Sequence, residues 1–433
     1  MRRLLFVTYL FPPSAGGGIP RILSFTRDLP RHGWLPTILT SPSAGKAAVD
    51  GSGLASLSSE IQIARAYCPI AARGMRGHVR AEQGVSGNAR RFAKLASKIA
   101  MVPEPFAPWI PFALARGREL LSATPHDAVL ATYGPPANLI VGAALARLFR
   151  LPLVLDFRDL WSDLPFAKFP SAAHHAIARQ IERAVVRQAR GVTTVSDAMS
   201  AHLRAQFSLP TERVATVVNG FEEDTLALVT DGRRDPDRPF RICYSGAAYE
   251  GYDLSPFLHA VKQLADDGTI TPSTFRFLTL GSFAHDVAER HGVGAFHDFE
   301  PFIPRAQMFS RFAEVDAFLL VEMGAYGAKM GYPVKMFDYL LTGKPILGLV
   351  VDGGNAQALL REIGPVHHPV ANEAVAIART LTGMLAARNA PPGPVAVDRF
   401  PLVRFSRRQN VATLAGVLDR AVSETPRAST SRA

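Results

Sequence analysis

The sequence has little cysteine, and its two cysteines, Cys68 and Cys243, lie far apart. Neither belongs to a Cys-x-x-Cys pair, so neither a disulfide framework nor a zinc site is indicated, and a reducing compartment fits. The adjacent pairs His174-His175 and His367-His368 do not suggest metal ligands, because neighbouring side chains diverge on a helix or a strand. We expect these histidines at the surface.

Long hydrophobic runs are also missing. No apolar run approaches about 20 residues, so no membrane-spanning helix is predicted. The stretch MRRLLFVTYL has two arginines before a short apolar run, but it leads into prolines and a glycine loop rather than a small-residue cleavage site. We interpret it as the first β-strand of a cytoplasmic protein.

Acidic residues are scarce in the first half of the chain. Residues 1–220 carry 26 Lys and Arg against 13 Asp and Glu, whereas the remainder carries 22 against 24. This asymmetry predicts an anionic partner for the first half, such as a membrane surface or a phosphorylated acceptor. No nucleic-acid-binding motif is present, and we expect no nucleic acid partner.

One basic stretch stands out within that half. ARRFAKLASKIAM places Phe92, Leu95 and Ile99 on one helical face and basic side chains on another. We interpret four of these residues as facing a membrane or the acceptor: Arg90, Arg91, Lys94 and Lys98. The alternative is a helix docked on its domain with a solvated charged face.

Short apolar strands alternate with helical patterns, stop at the polar stretch TDGRRDPDRPF, and then start again. We predict strands at 128–132 and 153–157 and helices at 137–149 and 255–266, with Ser196 placed to cap a helix that begins at 197. The alternation predicts an α/β protein with two doubly wound domains facing each other across a cleft. We place the parts of the chain as an N-terminal domain at 1–222, a linker at 223–240, a C-terminal domain at 241–400, a helix at 401–420 and a disordered tail at 421–433.

Four stretches occur in a fixed order: VTYLFPPSAGGGIPR, VLDFRDLW, VVNGF and KMFDYLLTGKPIL. Together they resemble the GT-B fold glycosyltransferases, specifically the retaining family 4 group that builds surface polysaccharides. The resemblance implies a Rossmann-like acceptor domain followed by a Rossmann-like domain for a nucleotide-sugar donor. It also implies no cofactor and no metal. No D-x-D motif stands where a metal would bridge a diphosphate, so positive side chains and helix dipoles would do that work.

The glycine loop Gly16, Gly17 and Gly18 is implied to approach the donor diphosphate, because glycine leaves backbone N–H groups open to oxyanions before a helix. The alternative is a flexible β–α loop. Asn219 and Gly246 end strands and would offer further backbone donors near the diphosphate or the sugar.

The stretch KMFDYLLTGKPIL carries the second donor signal. Asp338 stands where the family has a glutamate that accepts hydrogen bonds from ribose hydroxyls, and Lys335 would neutralise the diphosphate. The alternative is a surface salt bridge between these two residues. Met330 replaces the first acid of the family's pair, which is a departure. Gly281 and Ile303 are expected at the wall that binds the base, with core packing as the alternative for Ile303.

Three residues are candidates for catalysis. Asp156 and Arg158 end a buried strand, where they either line the cleft or form an internal arginine–carboxylate pair. Asn138 stands where the family commonly has a histidine, and an amide can bind a sugar hydroxyl but cannot act as a base.

The resemblance predicts a retaining, metal-independent glycosyltransferase that moves a hexosyl or related group from a nucleotide-diphosphate sugar. Its acceptor would be lipid-linked or a polysaccharide, at the inner face of the cell membrane. One alternative is a catalytically degenerate subunit that binds a nucleotide or glycan, for which Met330 and Asn138 argue. Another is a nucleotide-sugar epimerase, against which the scarcity of His and Glu at the expected positions counts.

Overall fold

The computed structural model describes residues 1–14, 18–42, 52–69, 106–164, 169–229, 237–246, 253–281, 286–301, 303–322, 324, 328, 330–388 and 400–424. The chain forms two compact units. Unit 1 is Met1–Val218 with Arg407–Ala433, and unit 2 is Asn219–Ser406.

Unit 1 contains a parallel sheet with the strand order β3-β2-β1-β4-β5-β6-β7. Its strands are β1 (Arg2–Val7), β2 (Trp34–Thr40), β3 (Gln62–Arg65), β4 (Ala128–Thr132), β5 (Leu153–Phe157), β6 (Gly191–Thr194) and β7 (Val214–Thr216). The helices between them are α1 (Ile19–Asp28), α2 (Ile110–Ala123), α3 (Ala137–Phe149), α4 (Ala172–Gln188) and α5 (Asp197–Phe207). Strands β4 and β5 are buried along their whole length, because a parallel sheet is covered on both faces.

Unit 2 contains a second parallel sheet with the order β10-β9-β8-β11-β12-β13. Its strands are β8 (Phe240–Ser245), β9 (Phe275–Leu280), β10 (His297–Glu300), β11 (Ala317–Val321), β12 (Ile346–Leu349) and β13 (His368–Val370). Its helices are α6 (Ser255–Asp266), α7 (Asp286–Arg290), α8 (Arg305–Ala313), α9 (Val334–Thr342), α10 (Asn355–Ile363) and α11 (Ala374–Arg388).

The last helix, α12 (Arg407–Ser423), belongs to unit 1. Its apolar face, which includes Leu414 and Leu418, lies in one buried cluster with Phe25 and Trp34. The indole of Trp34 also donates a hydrogen bond to Asp419 at 3.0 Å. The C-terminal segment therefore returns to the first sheet and completes its core.

The predicted strands at 128–132 and 153–157 and the predicted helices at 137–149 and 255–266 are confirmed at both ends. The Ser196 hydroxyl accepts a hydrogen bond from the Met199 amide at 3.1 Å, which confirms the predicted cap of α5. Strand β3 and helix α2 were not predicted.

The units divide the chain at 218/219 rather than at 222. The reason is that Phe221 forms a bridge with Ser406, and its amide donates to the Phe405 carbonyl at 3.0 Å, so this segment is already part of unit 2. Residues Glu223–Leu228, assigned to the linker, form a 3₁₀ turn there. The C-terminal helix begins at 407 rather than 401 and runs into the predicted tail, of which 425–433 lie outside the described residues.

Candidate functional site

The carboxyl edge of the unit 1 sheet contains a buried ion pair between Asp156 of β5 and Arg21 of α1. The Arg21 Nη2 and Nε atoms donate to the two carboxylate oxygens at 2.6 and 3.1 Å. The hydroxyls of Thr132 and Thr193 also donate to Asp156, at 2.8 and 2.7 Å. Burial raises the pKa of Asp156, but the Arg21 charge and these hydrogen bonds outweigh it, and the pKa lies below its ordinary value.

Asp156 has 0% exposed surface and no oxygen facing solvent. The prediction that Asp156 lines a catalytic cleft is therefore corrected. Asp156 instead forms an internal arginine–carboxylate pair, which is the alternative that the sequence left open. The partner is Arg21 rather than the neighbouring Arg158. Sequence reasoning missed Arg21, because the two residues are separated by 135 positions.

Arg158 lies beside the start of α1. Its Nε donates to the Tyr133 carbonyl at 2.8 Å and its Nη2 to the Gly134 carbonyl at 3.2 Å. A Cβ on Gly18 would lie 1.3 Å from the Arg158 Nη1 atom, so a larger residue at the position that caps α1 would displace the guanidinium. A guanidinium and a helix N-terminus thus meet at this edge, an arrangement that favours an anion. Gly16 and Gly17 lie outside the described residues.

Asn138, the third catalytic candidate, is also corrected. Its side chain has 0% exposed surface, and its Nδ2 donates to the Thr132 carbonyl at 2.8 Å. It fixes the end of β4 to the first turn of α3 and cannot reach a sugar hydroxyl in this conformation.

The carboxyl edge of the unit 2 sheet brings two of the predicted glycines together. Gly246 follows β8 with φ +110°, and Gly281 follows β9 with φ +113°. These backbone conformations are open to glycine and strained for other residues. A Cβ on Gly281 would lie 2.8 Å from the Gly246 carbonyl oxygen, so the two backbones pack directly on each other. At the ends of β8 and β9, these two described residues thus bring bare backbone together.

Lys335 of α9 packs beside Gly246, with its Nζ atom buried. Its Nζ lies 3.8 Å from the centroid of the Tyr244 ring, and a Cβ on Gly246 would lie 3.2 Å from that nitrogen. Burial lowers the pKa of the Lys335 ammonium to about 7, with an opposing contribution from Cys243. Lys335 is also in the first turn of α9, whose N-terminus carries a partial positive charge. Glycine backbone, an ammonium group and a helix N-terminus thus lie together, and each of these groups interacts favourably with anions.

Asp338 lies one turn further along α9, where Arg305 holds it. Arg305 Nη2 and Nη1 donate to the two carboxylate oxygens at 2.6 and 3.3 Å, and Asp338 is 8% exposed. Asp338 thus forms an ion pair with Arg305, and the Lys335 ammonium lies over the Tyr244 ring. Sequence reasoning missed Arg305, which opens α8 two residues after the half-buried Ile303.

The remaining predicted residues are placed as follows. Asn219 begins unit 2 and is half-buried, and Met330 is half-buried in a helical turn before α9. Arg90, Arg91, Lys94 and Lys98 lie outside the described residues. His367 is 4% exposed rather than at the surface, and burial lowers its pKa to about 4.

The described residues contain no group of three His, Cys, Asp or Glu side chains suited to hold a metal ion. None of the helices described has both the length and the apolar content to cross a bilayer.

Comparisons with known proteins bear on this geometry. Residues 16–220 match the family model described as a glycosyl transferase 4-like domain. No curated protein sequence matches the chain. Among solved structures, sucrose-phosphate synthase from Thermosynechococcus elongatus is 13% identical with a TM-score of 0.61, covering 98% of this chain and 97% of that one.

Two further structures resemble the chain over nearly its whole length. WaaG, a glycosyltransferase involved in lipopolysaccharide biosynthesis, is 12% identical with a TM-score of 0.54, covering 98% of this chain and 99% of that one. UDP-GlcNAc 2-epimerase from Neisseria meningitidis, bound to UDP-GlcNAc, is 10% identical with a TM-score of 0.53, covering 96% and 100%. Likeness at such low identity establishes the fold alone.

The chain therefore has the GT-B fold, an α/β architecture with two Rossmann-like domains. Within that fold, residues 16–220 match the model of a glycosyl transferase 4-like domain, which agrees with the predicted resemblance to family 4 over that part of the chain.

Proposed function

We propose that this protein is a retaining glycosyltransferase that moves a sugar from a nucleotide-diphosphate sugar to a lipid-linked or polysaccharide acceptor. The observation that supports the proposal most strongly is the unit 2 surface formed by Gly246, Gly281 and Lys335. Bare backbone and a cation at the carboxyl ends of parallel strands suit a diphosphate. The glycosyl transferase 4-like match of residues 16–220 supports the class of reaction.

In the proposed reaction, the bond between the anomeric carbon and the leaving phosphate oxygen breaks. A bond to the acceptor hydroxyl oxygen forms on the same face of the sugar, and the departing phosphate takes the hydroxyl proton. Lys335 stabilises the charge that develops on the diphosphate, in place of a metal ion. Asp338, held by Arg305, orients the ribose by accepting a hydrogen bond from one of its hydroxyls.

We further propose that Arg158 and the start of α1 bind an anionic group of the acceptor or the donor. The basic charge of the first 220 residues supports peripheral association with the inner face of the cell membrane, with Arg90, Arg91, Lys94 and Lys98 among the contacts.

A second candidate is a non-catalytic subunit that binds a nucleotide. Two observations favour it: Asn138 is buried, and Met330 stands where the resembled family has an acid. Such a protein would bind a nucleoside diphosphate without turning over its sugar, so a binding experiment and a turnover experiment separate the two candidates.

The binding experiment is a thermal-shift panel of UDP, GDP, ADP and dTDP with wild type, Lys335→Gln and Lys262→Gln. Lys262 is an exposed lysine of unit 2 that pairs with Asp266, so it provides the matched control. We expect one nucleotide at about 100 times its Kd to stabilise wild type and the control by about 2.7 kcal/mol. The Lys335→Gln variant should lose most of that shift. Equal shifts in all three proteins would contradict the proposed site.

A further inference from the structure

A depression of about 450 Å³ opens on unit 1 where helices α3 and α4 end. Four arginines line it: Arg147, Arg150, Arg187 and Arg190. Gln188 and aliphatic residues complete the wall, and none of the described residues that line it is acidic. Four positive charges thus share one concave surface.

The four arginines are exposed and have no protein partner for their guanidinium groups. None of them forms an ion pair or a side-chain hydrogen bond within the part of the chain that the structure describes. Other arginines of unit 1 do have acidic partners, such as Arg21 on Asp156 and Arg116 on Glu119. The donors around the depression therefore remain available to a ligand.

The depression lies away from the proposed acceptor edge. Arg190 directly precedes β6, and Leu153, which begins β5, belongs to the wall, so this is the amino edge of the sheet. Arg158 and the start of α1 lie at the opposite, carboxyl edge. The five residues of β5 separate the two edges by about 15 Å. The depression is a different site from the one used in the proposed reaction.

Helix stabilisation explains part of this cluster but not all of it. Arg147 and Arg187 lie in the last turns of α3 and α4, where a cation interacts favourably with the helix dipole. Arg150 ends α3 with φ +56°, a left-handed conformation for which glycine is the favoured residue. An arginine kept in that conformation, beside three like charges, adds repulsion that an anion would relieve.

We propose that this depression binds the phosphate groups of an anionic ligand. Guanidinium forks match phosphate oxygens in pairs, which makes arginine well suited to such recognition. The volume of about 450 Å³ lies within the range of about 300–1,000 Å³ that is usual for small-molecule sites. The phosphate can belong to a soluble molecule or to a lipid headgroup, because the arginines would bind phosphate oxygens in the same way in both.

The test is hydrogen–deuterium exchange of the full chain with and without sodium pyrophosphate. We expect slower exchange in peptides covering 147–153 and 184–190 of wild type. The Arg147→Gln/Arg187→Gln variant should bind on the order of 10- to 100-fold more weakly by the same readout, because two charged hydrogen-bonding groups are lost. The control Arg118→Gln/Arg179→Gln removes two exposed arginines of unit 1 outside the depression and should match wild type.

Vesicles of phosphatidylglycerol, compared with phosphatidylcholine, form the second arm. Protection of these peptides by pyrophosphate assigns a soluble ligand, and protection by phosphatidylglycerol alone assigns a lipid headgroup. Protection by neither, or equal protection in the two double variants, would overturn the proposal. Peptides covering 244–246 and 333–338 report on the proposed donor site separately. A lack of protection in those peptides would count against the donor site and not against binding at the depression.

Discussion

Lys335 combines a cation–π contact with partial burial. Its Nζ lies 3.8 Å from the Tyr244 ring centroid, and burial lowers the pKa of the ammonium to about 7. A lysine with that pKa is about half protonated in the free protein at neutral pH. A bound diphosphate would favour the charged form, so donor binding is coupled to proton uptake.

This coupling predicts a pH dependence of donor binding. Lys335 is protonated below pH 7 and neutral above it, so the affinity for a nucleotide sugar should fall about tenfold from pH 6 to pH 8. A nucleotide sugar is the better ligand for this measurement, because its diphosphate has no terminal phosphate that titrates near pH 6. Isothermal titration across this range would measure both the affinity and the protons taken up.

Two variants at position 335 sharpen that measurement. Lys335→Arg keeps a permanent charge and should bind with little change between pH 6 and 8. Lys335→Gln should bind weakly at every pH. A pH dependence that persists unchanged in both variants would show that another group is responsible.

The chemistry of single residues can be predicted from this sequence better than their surroundings. Gly246 and Gly281 meet at the carboxyl edge of the sheet, as their positions after strands suggest, and Lys335 approaches them from α9. Asp156 and Asn138 are buried instead, because their partners come from elements that spacing does not identify. Asp338 likewise pairs with Arg305, which is 33 positions away.

At the scale of elements, the Arg21–Asp156 pair joins α1 to β5. Arg21 also donates to the Val217 carbonyl at 2.6 Å and to the Val218 carbonyl at 3.2 Å, so the helix, the strand and the last segment before unit 2 are held by one guanidinium. Arg21 and Asp156 are 3% and 0% exposed. Arg21 lies three residues after Gly18, which meets Arg158 at the N-terminus of α1.

Breaking the pair should therefore be costly to stability. Asp156→Asn leaves the Arg21 charge buried without its counter-ion, which should lower the free energy of unfolding by about 3–5 kcal/mol. Glu119→Gln removes an exposed partner, that of Arg116, and should change stability by about 0–1 kcal/mol. Urea unfolding of both variants measures the difference. Equal losses would show that the buried pair does not anchor α1.

Elements with strong apolar patterns could be predicted, and weakly patterned ones could not. AVLAT and LVLDF are buried throughout and gave the limits of β4 and β5 directly. Strand β3 is a short edge strand with one buried residue, Ala64, so it shows no alternation. Helix α2 buries Ala113, Gly117, Leu120 and Leu121, and its small residues leave a faint apolar stripe.

At the scale of the whole molecule, the alternation of strands and helices predicted two doubly wound domains, and the GT-B fold confirms that class. The return of α12 to unit 1 was beyond prediction. One of its contacts, between Trp34 and Asp419, joins residues 385 positions apart. A local sequence pattern cannot predict contacts between residues so far apart in the chain.

The central claim is that the protein transfers sugar from a nucleotide-diphosphate donor held at the unit 2 surface. The most direct measurement is release of nucleoside diphosphate from a panel of UDP-, GDP-, ADP- and dTDP-sugars, with and without a polysaccharide or lipid-linked acceptor. We predict release with one donor class, stimulated by acceptor, unchanged in Lys262→Gln and lowered on the order of 100-fold in Lys335→Gln. No release from any donor by folded protein that still binds a nucleoside diphosphate would contradict the claim and favour the non-catalytic subunit.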